Sequence, residues 1–158
     1  MKATVQWQNN MVFIGSSASG FPVRMDADSS FGGMESGVRP MEMIALGLAA
    51  CTAMDVISIL RKKRQDVTQF EVRVDAPRSA DHPKVFTRAT ITYLVTGHSV
   101  DEDAVLRSIE LAATKYCPAQ IMLEPAVPMN LYYEIYEDED DGSKRLIYQG
   151  NWQDLPLE

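Results

Sequence analysis

The chain is poor in the side chains that build metal centres and disulfide frameworks. Its 158 residues include two cysteines and two histidines. Cys51 and Cys117 lie far apart and form no paired zinc-ligand spacing. His82 and His98 likewise have no partner at ligand spacing. No metal and no cofactor are therefore expected, and two cysteines are too few for a disulfide scaffold. Positive charge is also short. Fifteen Lys and Arg stand against 22 Asp and Glu, a net charge of −7, which argues against nucleic acid and anionic membranes as partners. The opening Met1 to Trp7 has no apolar signal core and reads as a strand. A cytoplasmic location is the expectation from that start.

Long apolar runs are scarce too, and the single exception organises the rest. From Arg39-Pro40-Met41-Glu42-Met43 through Cys51 to Leu60-Arg61-Lys62-Lys63 the sequence reads as one long helix. Pro40 suits a first turn, where a missing N–H costs nothing. Glu42 lies at the positive end of the helix dipole and the basic cluster at the negative end. Between Met43 and Leu60 the one charge is Asp55. Ile44 to Ala53 is apolar or small on every side, so the helix is expected to be central and buried. Thr52 and Asp55 interrupt it too early for a membrane span of about 20 apolar residues.

Around this helix the order of elements is readable. Residues 2–8 and 11–15 form strands about an Asn9-Asn10 turn. Residues 21–25 add a strand that Pro22 assigns to an edge or a strand start. Asp26 to Gly37 reads as a loop. Thr68 to Ala76 alternates as a half-buried strand. Val85 to Thr96 forms the next, with Phe86, Ala89, Ile91, Tyr93 and Val95 inward and a bulge near Arg88. Ser99 and Glu102 have the spacing of a capping box for a second helix ending near Tyr116. Cys117-Pro118 opens a short helical segment. Asn130 to Tyr136 is a last core strand, Glu137 to Asp141 a solvated acidic turn, and Arg145 to Tyr148 an edge strand. Trp152, Leu155 and Leu157 are expected to dock the tail. The length suits one domain, and the order gives an α+β fold with a largely antiparallel sheet.

Two thiols carry the chemistry candidates. Cys51 lies about three turns into an apolar helix, where burial raises a thiol pKa. Cys117 precedes Pro118 at a helix N-terminus, which favours thiolate. Local physics thus ranks Cys117 as the more acidic. Asp55 is one turn after Cys51 on the same face and opposes a thiolate there. Glu42, nine positions before Cys51, lies about 180° around the helix and about 13 Å along it. It can serve a Cys51 only across a dimer interface. Arg24 and Arg39 are the candidate cations. Met34, Met41, Met43 and Met54 cluster on and before the helix and suit an apolar pocket.

The stretch Pro40-x-Glu42-Met43-x-Ala45-x-Gly47-x-Ala49-Ala50-Cys51 resembles the first cysteine motif of the OsmC/Ohr family. Lys115-Tyr116-Cys117-Pro118 through Leu123-Glu124 resembles the second. The two occur in order, with two strands and a helix between them, and the resemblance covers about residues 1–136. It implies an OsmC-like domain over 1–136 with an acidic C-terminal extension, 137–158, packed on or beside it. It implies largely antiparallel sheets enclosing the cysteine-bearing helix in an intertwined homodimer.

By the same resemblance, Cys51 is the peroxidatic thiol and Cys117 the resolving one in a peroxidase acting on organic hydroperoxides and hydrogen peroxide. An external dithiol is the reductant, and the role is defence against oxidative stress. Well-studied members carry a catalytic Glu directly after the Pro, where Met41 stands here. Pro-Met-Glu-Met marks a separate OsmC-like subgroup, with Glu42, Arg39 and Arg24 as the candidates to assist. The other reading is an OsmC-fold protein that binds small molecules or responds to redox state without catalysis.

Overall fold

The computed structural model describes residues 1–139 and 141–154. The expected docking of Leu155 and Leu157 lies outside them. The chain folds into two compact units, 1–44 and 45–158.

In the first unit, β1 (Ala3–Asn9), β2 (Val12–Ser17) and β3 (Val23–Met25) form an antiparallel sheet in the order β1-β2-β3. The first two are joined by a tight turn in which Asn10 has φ 44°. Asn tolerates that left-handed conformation better than most residues. β3 lies at an edge of this sheet and begins at Val23, just after Pro22, so it is shorter than the 21–25 expected. The following loop is held by one carboxylate. Asp26 is buried and accepts hydrogen bonds from the Met34 and Ser36 N–H groups, the Ser36 hydroxyl and the Ala27 N–H. These donors hold its pKa down at about 2, chiefly through Ser36.

The long helix α1 runs Pro40–Lys62 and begins at Pro40, as the sequence requires. Glu42 reaches back to accept from the Arg39 N–H at 2.9 Å. That is the reciprocal half of a helix-start cap.

The second unit is built on a four-stranded sheet, β4 (Asp66–Asp75), β5 (Ala89–His98), β6 (Met129–Asp138) and β7 (Lys144–Asn151), in that spatial order. β4–β5 and β6–β7 are antiparallel, while β5–β6 is parallel. The parallel pair needs a crossover. α2 (Glu102–Leu111), a π-helical turn (Ala112–Tyr116) and α3 (Pro118–Leu123) supply it. Val56 and Leu60 of α1, Ile91, Tyr93 and Val95 of β5, Val105 and Ile109 of α2, and Leu131 and Ile135 of β6 form the core. Trp152 packs against it.

Four expectations change. α1 is long and apolar enough to cross a membrane by length and composition, yet it is a core helix along one stripe only. Leu48, Thr52, Val56 and Leu60 are buried at four-residue spacing, while Leu46, Gly47, Ala50 and Met54 are exposed. Residues 85–88 do not extend β5. β4 ends at Asp75 before Pro77, so Phe86 pairs across its own loop with Arg78. The register shift expected near Arg88 falls instead on β4, between Val67 and Gln69. Ser99 is not the cap of α2. It has φ 51°, its N–H donates to the Glu137 carboxylate, and Asp101 caps the helix by accepting from the Asp103 N–H.

Candidate functional site

Cys51 sits at the margin of the buried stripe of α1 and is half-buried. A helix advances 100° per residue, so Cys51 lies about 60° from Leu48 and about 40° from Asp55. Cys117 arrives from the other side. Pro118 disfavours helical backbone at the residue before it. Cys117 accordingly leaves the π-helical turn in an extended conformation, φ −77° and ψ 100°, and becomes the N-cap of α3. Its N–H closes the wide turn on the Ala112 carbonyl at 2.9 Å. Its Sγ accepts from the Gln120 N–H at 3.4 Å.

These placements bring the two sulfurs and a carboxylate oxygen of Asp55 within 4.8 Å of one another. Both thiols are free. A disulfide needs the sulfurs at about 2.05 Å, so bonding requires a side-chain rotation that draws them together.

Cys117 is fully buried, and burial pushes its thiol up to about 11, against the Gln120 N–H and with the facing Cys51 adding to the rise. The rise runs against the expectation that a helix N-terminal position favours the Cys117 thiolate. A three-turn helix end is a strong anion site, but α3 has six residues and its N-cap is sealed from water. Desolvation therefore wins. Burial also raises the Asp55 carboxyl above its ordinary value.

One pair behind the thiols has no counterpart in the motif reading. Thr52 Oγ1 and Tyr93 Oη are hydrogen bonded at 2.7 Å, and both residues are buried. Tyr93 is held neutral by burial, with Cys117 and Asp55 adding to the upward shift of its phenol. Thr52 interrupts an apolar run next to Cys51, and that interruption is the sequence signal for the pair.

The charged candidates lie in the first unit and are engaged there. Arg39 pairs with Asp28 at 2.9 Å and with Glu42 at 3.4 Å. Arg24 donates to the Ser36 carbonyl and hydroxyl. Met34 and Met54 are exposed.

Comparison with known proteins follows the same two segments. The OsmC-like protein family profile matches residues 33–132, which include both cysteines. Protein YhfA of Escherichia coli K12 is 39% identical over 135 residues, covering 85% of this chain and 98% of its own. The crystal structure of a hypothetical protein from Aquifex aeolicus superimposes with a TM-score of 0.76 at 25% identity, covering 87% of this chain and 97% of that one. An organic hydroperoxide resistance protein OsmC from Legionella pneumophila shares the fold, with a TM-score of 0.61 at 14% identity over 85% of this chain and 94% of its own. With the family profile spanning the helix, the crossover and both thiols, this chain belongs to the OsmC-like protein family.

Proposed function

We propose that this protein is a cysteine-based peroxidase that reduces organic hydroperoxides and, more slowly, hydrogen peroxide. The observation that carries the reading is the pair of thiols, one half-buried and one sealed, with sulfurs no more than 4.8 Å apart. The hydroperoxide resistance proteins of the same fold lend it support.

Cys51 is the attacking group because it is the thiol with solvent access. Its thiolate attacks one oxygen of the O–O bond. That bond breaks, a sulfenic acid forms on Cys51, and the alkoxide leaves as an alcohol once protonated. The Cys117 sulfur then attacks the Cys51 sulfur and expels water, which leaves a Cys51–Cys117 disulfide. An external dithiol reduces that disulfide in two exchange steps and is itself oxidised to a disulfide. No other cofactor enters the cycle.

The assembly is a homodimer. Leu46, Gly47, Ala50 and Met54 form an exposed apolar stripe opposite the core stripe of α1. Among the described residues, no atom lies within 4 Å of where a Gly47 side chain would project, so a second helix can approach closely there. A second copy is the occupant that satisfies a face this apolar.

Purified reduced protein mixed with cumene hydroperoxide and a dithiol tests the reading. Peroxide is consumed catalytically by the native chain and not by Cys51→Ser. In the absence of the dithiol, Cys117→Ser consumes one equivalent of peroxide and keeps a Cys51 sulfenic acid that dimedone traps, whereas the native chain goes on to the disulfide. Equal consumption by Cys51→Ser, or no reaction of native thiols with peroxide, overturns the peroxidase and leaves the non-catalytic reading.

A further inference from the structure

The cluster that unites Cys51, Asp55 and Cys117 has a second chemistry. Its three candidate ligand atoms, two sulfurs and one carboxylate oxygen, lie within 4.8 Å of one another. Zinc binds thiolate at about 2.3 Å and carboxylate at about 2.0–2.2 Å in tetrahedral geometry. Those bond lengths place neighbouring ligand atoms about 3.5–3.8 Å apart. Closing the cluster onto one ion therefore takes side-chain rotations of about 1 Å.

The backbone supports this arrangement. Cys51 and Asp55 stand at i and i+4 on one face of α1, the spacing that lets two helix side chains share a ligand. Cys117 comes from the N-cap of α3, and its sulfur is already oriented by the Gln120 N–H. A hydrogen bond of that kind fixes the direction of a metal ligand. Cys117 closes the buried side, whereas Cys51 and Asp55 are partly open to solvent. The fourth position of a tetrahedron thus faces the accessible side.

The geometry points to a zinc-binding site formed by Cys51, Asp55 and Cys117. Two thiolates with one carboxylate select a borderline-soft divalent ion such as Zn²⁺ over Mg²⁺ or Ca²⁺, which take oxygen ligands. Binding releases the thiol protons. A Cys51–Cys117 disulfide removes two of three ligands, so the bound ion and the disulfide exclude each other. Zinc then holds the thiols reduced and blocks Cys51 from peroxide. The site rests on the side-chain cluster and stands whether or not the protein is a peroxidase.

The test uses the full reduced chain under anaerobic conditions. Co²⁺ is added as a spectroscopic probe and then displaced with Zn²⁺ in competition with a chromophoric chelator. One ion per chain is expected, with thiolate-to-cobalt charge-transfer absorption. Cys51→Ser and Cys117→Ser each lose it. Asp55→Asn keeps the thiolate band but binds at least about 10-fold more weakly. Native protein oxidised to the disulfide loses binding without any substitution, so a misfolded variant cannot mimic the result. Absence of stoichiometric binding overturns the site. So does unchanged affinity in Asp55→Asn, or cobalt absorption that survives removal of both cysteines. Peroxide consumption measured on the same metal-free samples reports separately on the peroxidase.

Discussion

At the scale of single residues, the Thr52–Tyr93 hydrogen bond is the most consequential contact near the thiols. Both partners are buried, and β5 holds Tyr93 in register between Val72 of β4 and Tyr133 of β6. Thr52→Val strands the phenol and Tyr93→Phe strands the threonine hydroxyl. An unsatisfied buried polar group costs about 1–3 kcal/mol, whereas replacing both partners with apolar groups of similar shape is close to neutral. Each single variant should therefore lose about 1–3 kcal/mol of unfolding free energy. The double variant should lose less than the sum, as denaturant titration of all four proteins would reveal. Additive losses would mean that the bond does not couple the two residues. The sequence flagged Thr52 as a break in an apolar helix, but its partner lies 41 positions away and sits within a run of strand residues. Nothing local in Tyr93 distinguishes it from an ordinary inward aromatic.

At the scale of the element, α1 shows how far periodicity reaches. Its start, its length and its dipole complement follow from Pro40, Glu42 and the Arg61–Lys62 end. Which face goes inward does not, because the helix is apolar all round and carries little amphipathic signal. The structure assigns the core to Leu48, Thr52, Val56 and Leu60 and leaves Leu46, Ala50 and Met54 about 200° away in solvent. If that stripe is the dimer face, Leu46→Glu or Met54→Glu should dissociate the dimer. Burying one Leu or Met is worth about 1.5–3 kcal/mol. A two-fold interface counts each substitution twice, so the dissociation constant should rise by about 10²–10⁴. Sedimentation velocity over a concentration series measures this. A mass that stays the same in both variants would exclude the stripe from the interface.

In α2 and α3 something other than periodicity set the ends. Pro118, acting locally, ended one helix and began another, whereas Asp101 replaced Ser99 as the cap where the left-handed Ser99 gives its N–H to the distant Glu137.

At the scale of the whole molecule, the acidic composition sets the response to pH. Asp26 holds the 26–37 loop through four hydrogen bonds, and its pKa falls from 3.8 to about 2 on folding. A depressed carboxyl contributes stability that is complete above its unfolded pKa and lost as pH drops through its folded one. The contribution of Asp26 should therefore be intact at pH 5 and fade between about pH 4 and 2. Asp26→Asn cannot accept the same set of donors, so it should unfold several degrees lower at pH 5. The difference from native protein should narrow toward pH 2. Thermal unfolding of the two proteins across that range checks it. A gap that is constant with pH would assign the loss to packing instead of charge.

The sequence by itself determined the order and kind of the elements, because hydrophobic period, caps and proline placement act within a few residues. It also determined the family, since both cysteine motifs are local strings. Only the tertiary structure decided the meeting of Cys51 with Cys117 and Asp55, the burial that raises the Cys117 thiol, and the parallel pairing of β5 with β6. Each of these depends on segments distant in the chain, and desolvation exists only once those segments have packed. The local rules that placed a thiol at a helix N-cap could not show that the same fold would remove water from it.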